Sequence, residues 1–181
     1  MVAVEQDGRN LTYHELEKAA NGLANRLIAM GLEPGQRVCL VVQRSLPMTI
    51  AMLAVLKAGC QYVPLDGQVT AETALRHILQ DTKAPFVLCL EKFYRRVQQL
   101  AKPNTQILVL DNSLEKPQLS TRPGLSVDHS DGAYTIYTSG KLSYIIWELF
   151  LTMVQVAQAL LKEWMYRMET SQISFAIFQE I

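Results

Sequence analysis

The chain has little of what usually announces a function in 181 residues. It holds three cysteines and three histidines, and its 17 basic residues are balanced by 17 acidic ones. A formal charge of zero leaves no basic field for nucleic acid and no polybasic cluster for an anionic membrane. Cys39, Cys60 and Cys89 are odd in number and widely spaced, and two of them sit in apolar strand-like runs. They read as buried free thiols in a reducing compartment, not as a disulfide framework. His14, His77 and His129 show no metal-ligand spacing to one another or to the cysteines. The start, Met1-Val2-Ala3-Val4-Glu5-Gln6-Asp7, has no basic stretch followed by an apolar run. No secretory signal is expected, and the expected location is cytoplasmic.

What is there is an orderly alternation. Thr12 and Glu15 have the spacing of a capping box, and Leu16, Ala19, Ala20, Leu23, Ala24, Leu27 and Ile28 follow on one helical stripe. Gly31 fits the left-handed position that closes such a helix, and Pro34 prevents its continuation. Arg37 to Gln43 is apolar without alternation, as in a parallel strand covered on both faces. Ser45-Leu46-Pro47 predicts the cap of a second helix over Met48 to Lys57, ended by Gly59. Gln61 to Asp66 is extended, and Pro64 restricts it to an edge or a strand end. Thr70 is the expected cap of a third helix reaching Gln80. Phe86–Leu90 reads as a strand, Glu91–Leu100 as helix and Thr105–Leu110 as strand. Residues 112–131 read as a surface connection, and 133–138 as a closing strand. The expected fold class is α/β, a layered and mostly parallel sheet with covering helices.

Three stretches stand out together. They are Leu11-Thr12-Tyr13-His14-Glu15-Leu16, Leu56-Lys57-Ala58-Gly59-Cys60-Gln61-Tyr62-Val63-Pro64-Leu65-Asp66 and Tyr134-Thr135-Ile136-Tyr137-Thr138-Ser139-Gly140. In this order they resemble the first core motifs of the adenylation (AMP-binding) domains of nonribosomal peptide synthetases, in the adenylate-forming ligase superfamily. The resemblance covers about residues 2–140. Two positions depart from it: the family commonly has Ala where Gln61 stands and Pro where Gly67 stands.

The resemblance implies activation of a carboxylic acid, often an amino acid, with ATP and Mg2+. An acyl-adenylate forms, pyrophosphate leaves, and the acyl group passes to a phosphopantetheine thiol on a carrier domain, or to coenzyme A in relatives. Nucleic acid and membrane are not implied partners. Thr138, Ser139 and Gly140 are the site residues it carries over. A Ser/Thr/Gly turn after a strand offers hydroxyls and close backbone N–H groups to phosphate oxygens. The first two stretches supply packing and helix-ending elements. A nucleoside-triphosphatase phosphate loop at Ser139-Gly140-Lys141 is ruled out, because position 135 is Thr and position 142 is Leu.

The family's loop continues Ser-Thr-Gly-any-Pro-Lys-Gly, whereas this chain continues Lys141-Leu142-Ser143-Tyr144. The expected division is therefore 1–140, the N-terminal part of an adenylation domain, and 141–181, a tail outside the family pattern. The acyl pocket, the later nucleotide contacts and the catalytic lysine are expected beyond this chain, so no catalytic residue is assigned and the chain as written is expected to be inactive. A noncatalytic binding or regulatory fragment, or a product without function, is the alternative. Leu142 to Leu161 is apolar but interrupted by Glu148, Gln155 and Gln158, which argues against a membrane span. An amphipathic or buried helical extension is one reading of the tail. The other is a translated retained intron over residues 141–155, followed by exon read in a shifted frame, in a filamentous-fungal gene.

Overall fold

The computed structural model describes residues 1–110, 121–125 and 131–137. Two strands open the chain, β1 (Val2–Gln6) and β2 (Arg9–Thr12), paired antiparallel. Asp7 and Gly8 join them with φ values of 51° and 73°. Both central residues left-handed is the turn that matches strand twist, and Asp-Gly is its favoured pair. This hairpin is absent from the expected elements, although the Asp7-Gly8 dipeptide signals it.

Thr12 then caps α1 (Tyr13–Ala29). Its hydroxyl accepts from the Glu15 amide at 3.3 Å, and its own amide donates to the Glu15 carboxylate at 2.8 Å. The expected stripe is buried from Leu16 to Leu27, with Ile28 half-buried at its end. Gly31 closes the helix at φ 97°, its amide donating to the Ile28 carbonyl and that of Leu32 to the Leu27 carbonyl. That pair of bonds satisfies two carbonyls the helix end would otherwise leave open. The same closure recurs after α2 (Leu46–Lys57), where Gly59 has φ 69° and Cys60 donates to the Val55 carbonyl. Ser45 caps α2 by accepting from the Met48 amide, so the helix starts two residues before the expected Met48.

The main sheet has four strands, β3 (Arg37–Val42), β4 (Gln61–Asp66), β5 (Phe86–Leu90) and β6 (Gln106–Leu110), in the order β4-β3-β5-β6. Every pairing is parallel. The crossover from β3 to β4 moves one way along the sheet and those from β4 to β5 and β5 to β6 the other. With right-handed connections, α2 lies on one face, and α3 (Glu72–Asp81) and α4 (Tyr94–Leu100) lie on the other. Val38 to Val42 are accordingly buried throughout, as a continuous apolar run requires. A short 3₁₀ turn, Glu91–Phe93, precedes α4.

Two expectations need correction. Thr70 does not cap α3. The residue before the helix is Ala71, without a side-chain cap. Asp66 shapes the intervening turn by accepting from the Gln68 and Val69 amides, and Arg96 holds the Thr70 carbonyl at 2.5 Å, so the chain reaches helical geometry later. The closing strand is also less than a strand: within 133–137 only Tyr134 bridges to Tyr62. Pro64 explains this. Gln61 donates towards β3's side, to the Gln36 carbonyl, while Tyr62 donates outward, to the Ala133 carbonyl. By alternation Pro64 also faces outward. Its missing N–H costs the β3 ladder nothing and removes the next donor for the outer segment.

Candidate functional site

The expected phosphate-binding residues Thr138, Ser139 and Gly140 lie outside the described residues, as does the whole of 141–181. What the structure describes is the approach to them. The Tyr62–Tyr134 bridge is parallel, so residues 133–136 run in the direction of β4, towards the carboxyl edge of the sheet. In open parallel sheets, ligands bind outside that edge, where the crossovers diverge. Here they diverge at β3 and β5.

Four contacts fix the approach. The Tyr62 amide donates to the Ala133 carbonyl at 3.2 Å, and the Thr135 amide donates to the Tyr62 carbonyl at 3.0 Å. The Tyr62 and Tyr134 rings stack obliquely, 5.8 Å apart. The Thr135 hydroxyl donates to the Gln61 side-chain oxygen at 3.2 Å. Burial, and then the neighbouring Tyr134, push the Tyr62 phenol above its ordinary range, so it stays neutral.

Both departures from the family pattern have a local partner. Besides receiving Thr135, the Gln61 amide packs against Gly132, where a Cβ would come within 2.7 Å of its Nε2. Gly67 faces the Phe93 ring, and its carbonyl accepts from Arg96 at 2.6 Å. Sequence reading flagged Gln61 and Gly67 but could not find these partners, which lie at least 26 residues away in the chain.

The carboxyl edge itself is polar and cross-linked. Gln43, after β3, donates to the Gln68 side chain and accepts from Lys92, after β5. The Gln6 side chain donates to the Arg44 carbonyl at 2.7 Å, tying the hairpin to the same edge. A cavity of about 200 Å³ opens there, lined by Gln6, Asp7, Arg9, Ser45, Pro47 and Leu90. It is too small to enclose a nucleotide. A second, of about 350 Å³, lies at the amino edge beside Gln36, Arg37, Gln61, Thr82 and Lys83.

The Leu56-Lys57-Ala58-Gly59 stretch does what the residues suggested and packs. Lys57 lies 3.7 Å from Glu17 across the α1–α2 seam. Its ammonium is held below the ordinary lysine range by burial first, with the Arg122 charge acting the same way and Glu17 opposing. Among the described residues no group of three His, Cys, Asp or Glu side chains could hold a metal. No helix among them is long and apolar enough to cross a membrane.

Comparisons with known proteins bear on the family and the fold. The profile of the AMP-binding enzyme family matches residues 1–140. Adenylate-forming reductase 06235 of Coprinopsis cinerea is 41% identical over 143 residues, which are 77% of this chain and 14% of that protein. The nonribosomal peptide synthetase sirP of Leptosphaeria maculans is 34% identical over 146 residues, 78% of this chain and 7% of that one. Among solved structures, ATP-bound MatB from Rhodopseudomonas palustris superposes with a TM-score of 0.68 at 26% identity, covering 77% of this chain and 29% of that one. The AMPPNP-bound nonribosomal peptide synthetase FmoA3 gives 0.62 at 28% identity, covering 74% and 14%. The chain thus spans a small part of the proteins it matches.

Proposed function

Because the chain belongs to the AMP-binding enzyme family, we propose that its residues 1–140 are the opening part of a domain that activates a carboxylic acid with ATP. A carboxylate oxygen of the acid attacks the α-phosphorus of ATP, the bond to the β-phosphate breaks, and pyrophosphate leaves with the electron pair. The sulfur of a thiol, that of phosphopantetheine on a carrier domain or of coenzyme A, then attacks the acyl carbonyl. The bond from the acyl carbon to AMP breaks, AMP leaves with the electron pair and the thiol gives up its proton. The acid is an amino acid or another small carboxylic acid. A relative named as a peptide synthetase supports the amino acid. The compartment that suits this chemistry is the cytoplasm.

The observation that carries the reading is the parallel seating of 133–136 beside β4. It aims the chain that precedes Thr138-Ser139-Gly140 at the edge where parallel sheets receive phosphates. Two hydroxyls and a glycine N–H suit phosphate oxygens as a donor set. In that role Thr138 and Ser139 donate to the phosphates, Gly140 lets the backbone come close, and Gln61, through Thr135, steadies the entry. Mg2+ would neutralise phosphate charge, and this chain's described residues supply no cluster to hold it.

The 181-residue form lacks the lysine and the two further glycines of the loop, and is therefore inactive in this reading. ATP–pyrophosphate exchange tests it. The purified chain is expected to show no exchange above background with any carboxylic acid. Acid-dependent exchange would overturn the inactivity and favour a minimal enzyme.

A further inference from the structure

We propose that splicing at codon 140 decides whether the phosphate loop exists: residues 141–155 are intron-encoded, and residues 156–181 are the downstream exon read in a shifted frame. The inference rests on the adenylation reading for the identity of the loop, and on the genetic code for the rest.

The family match stops at residue 140. Gly140-Lys141-Leu142 can be encoded GGT AAG TTR, which contains GTAAGT, a splice-donor consensus. Leu151-Thr152 can be CTN AC, a branch-point consensus, and Gln155 can be CAG, an acceptor. The segment from the GT of codon 140 through codon 155 is fifteen codons and two bases, forty-seven nucleotides. That is not a multiple of three, so its retention shifts the frame.

Excision joins the first base of codon 140 to the GT of the Val156 codon and restores glycine. The codons of Val156 to Glu163 then permit Ser-Thr-Gly-any-Pro-Lys-Gly, the missing half of the loop. Degeneracy makes that stretch permissive, but the next is not. Trp164, Met165 and Met168 each have a single codon. They force Val or Met, then Asp, then Val from the Met165–Tyr166 junction, and Gly from the Met168–Glu169 junction. The intervening codons allow Val-Asp-Val-Ser-His-Gly-Asn-Val-Thr-Asn, with no stop required.

Within residues 1–140 the physical consequence is confined to the site. Met1–Ile136 forms a compact unit of its own, and the break falls four residues after it. Retention would therefore leave β3 to β6 and their helices in place while removing the Lys-Gly half of the loop. The phosphates would lose a cation and a close backbone approach.

Genomic and transcript sequencing across codon 140 tests this. The expected genomic codons read GTAAGT at 140–142 and end in CAG at 155. The expected reverse-transcribed products include one shorter by forty-seven nucleotides, open in frame through Gly-Ser-Thr-Gly. Genomic codons without that donor, or only full-length products across growth conditions, would overturn the inference and leave the adenylation reading standing. Conversely, a spliced transcript whose protein binds neither ATP nor AMPPNP would sink the adenylation reading and leave the splice inference intact.

Discussion

The ring of Phe93 stands where a side chain on Gly67 would begin. A Cβ on Gly67 would lie 2.4 Å from the ring's nearest atom and within 2.7 Å of two more. Gly67 follows β4 and Phe93 follows β5, so the pair locks two carboxyl-edge turns together. The Gly67 amide also donates to the Val42 carbonyl at 3.0 Å. Proline, common here in the family pattern, would lose that bond and meet the ring.

The pair predicts a coupled response. Gly67→Ala should destabilise the chain by about 1–3 kcal/mol through overpacking. Phe93→Ala alone should cost about 3–5 kcal/mol as a cavity. The double variant should cost less than their sum by about 0.5–3 kcal/mol. Urea unfolding of the four proteins measures this. Simple additivity would mean that the ring does not fill the space over Gly67.

A second expectation concerns acid. The Glu15 carboxyl is held below its ordinary range first by the Thr12 amide, then by the Thr12 hydroxyl, with His14 adding a little. Its folded pKa is depressed, so its contribution is complete above the ordinary carboxylate range. That contribution is lost as pH falls through the folded value. Thr12→Ala should cost about 1 kcal/mol of stability at neutral pH by removing the helix cap. It should also make the unfolding midpoint less sensitive between pH 6 and pH 3. An acid limb as steep as in the parent would show that the Thr12 hydroxyl adds nothing to the hold of the Thr12 amide, which the variant keeps, on this carboxylate.

Where the sequence was readable, local physics decided the structure. The Thr12–Glu15 box, the Ser45 cap and the glycine closures at Gly31 and Gly59 each involve residues within one or two turns of one another. The buried run from Val38 to Val42 announces its parallel neighbours by lacking any polar face. The Asp7-Gly8 hairpin was as local and was simply passed over. What was not readable depends on distance in the chain. Thr70 looks like a cap until Arg96, 26 residues on, takes its carbonyl. Of the expected strand 133–138, the described residues 133–137 look like a strand until Pro64 withholds the donor that a ladder needs. At the site, the resemblance of three motifs to the adenylation family implied phosphate chemistry, but the Gln61–Thr135 tether could be found only once β4 and the closing segment were side by side.

The thiols give a third test. All three are free and buried. Burial pushes Cys39 to about 11, with the Thr82 hydroxyl tempering it, and Cys60 to about 11. Cys89 rises to about 12, helped by the Glu91 charge. Native protein at pH 8 should therefore leave 5,5′-dithiobis(2-nitrobenzoate) unreacted over minutes, and the reagent should count three thiols in urea. A thiol that reacts at once in native buffer would identify an opening the structure does not show.

The last expectation concerns the tail, and it separates the two readings of residues 141–181. Intron-encoded residues, and exon residues read out of frame, were never selected to pack against the sheet. Leu, Ala, Gln, Glu and Met in that stretch still favour helix locally, so helical content alone decides nothing. Packing does. If the tail is an evolved extension, the stripe Ile145, Leu149 and Met153 buries apolar surface against the domain. Each such side chain is worth roughly 1.5–3 kcal/mol. A chain cut after Gly140 would then melt many degrees lower, since about 1 kcal/mol shifts a domain of this size by roughly 2–8 °C. If the tail is mistranslated, the cut costs nothing and the midpoint stays within about 2 °C, less than the shift expected from losing one such contact. We expect the second result. A large drop would establish residues 141–181 as part of the fold and remove the reason to look for an intron at codon 140.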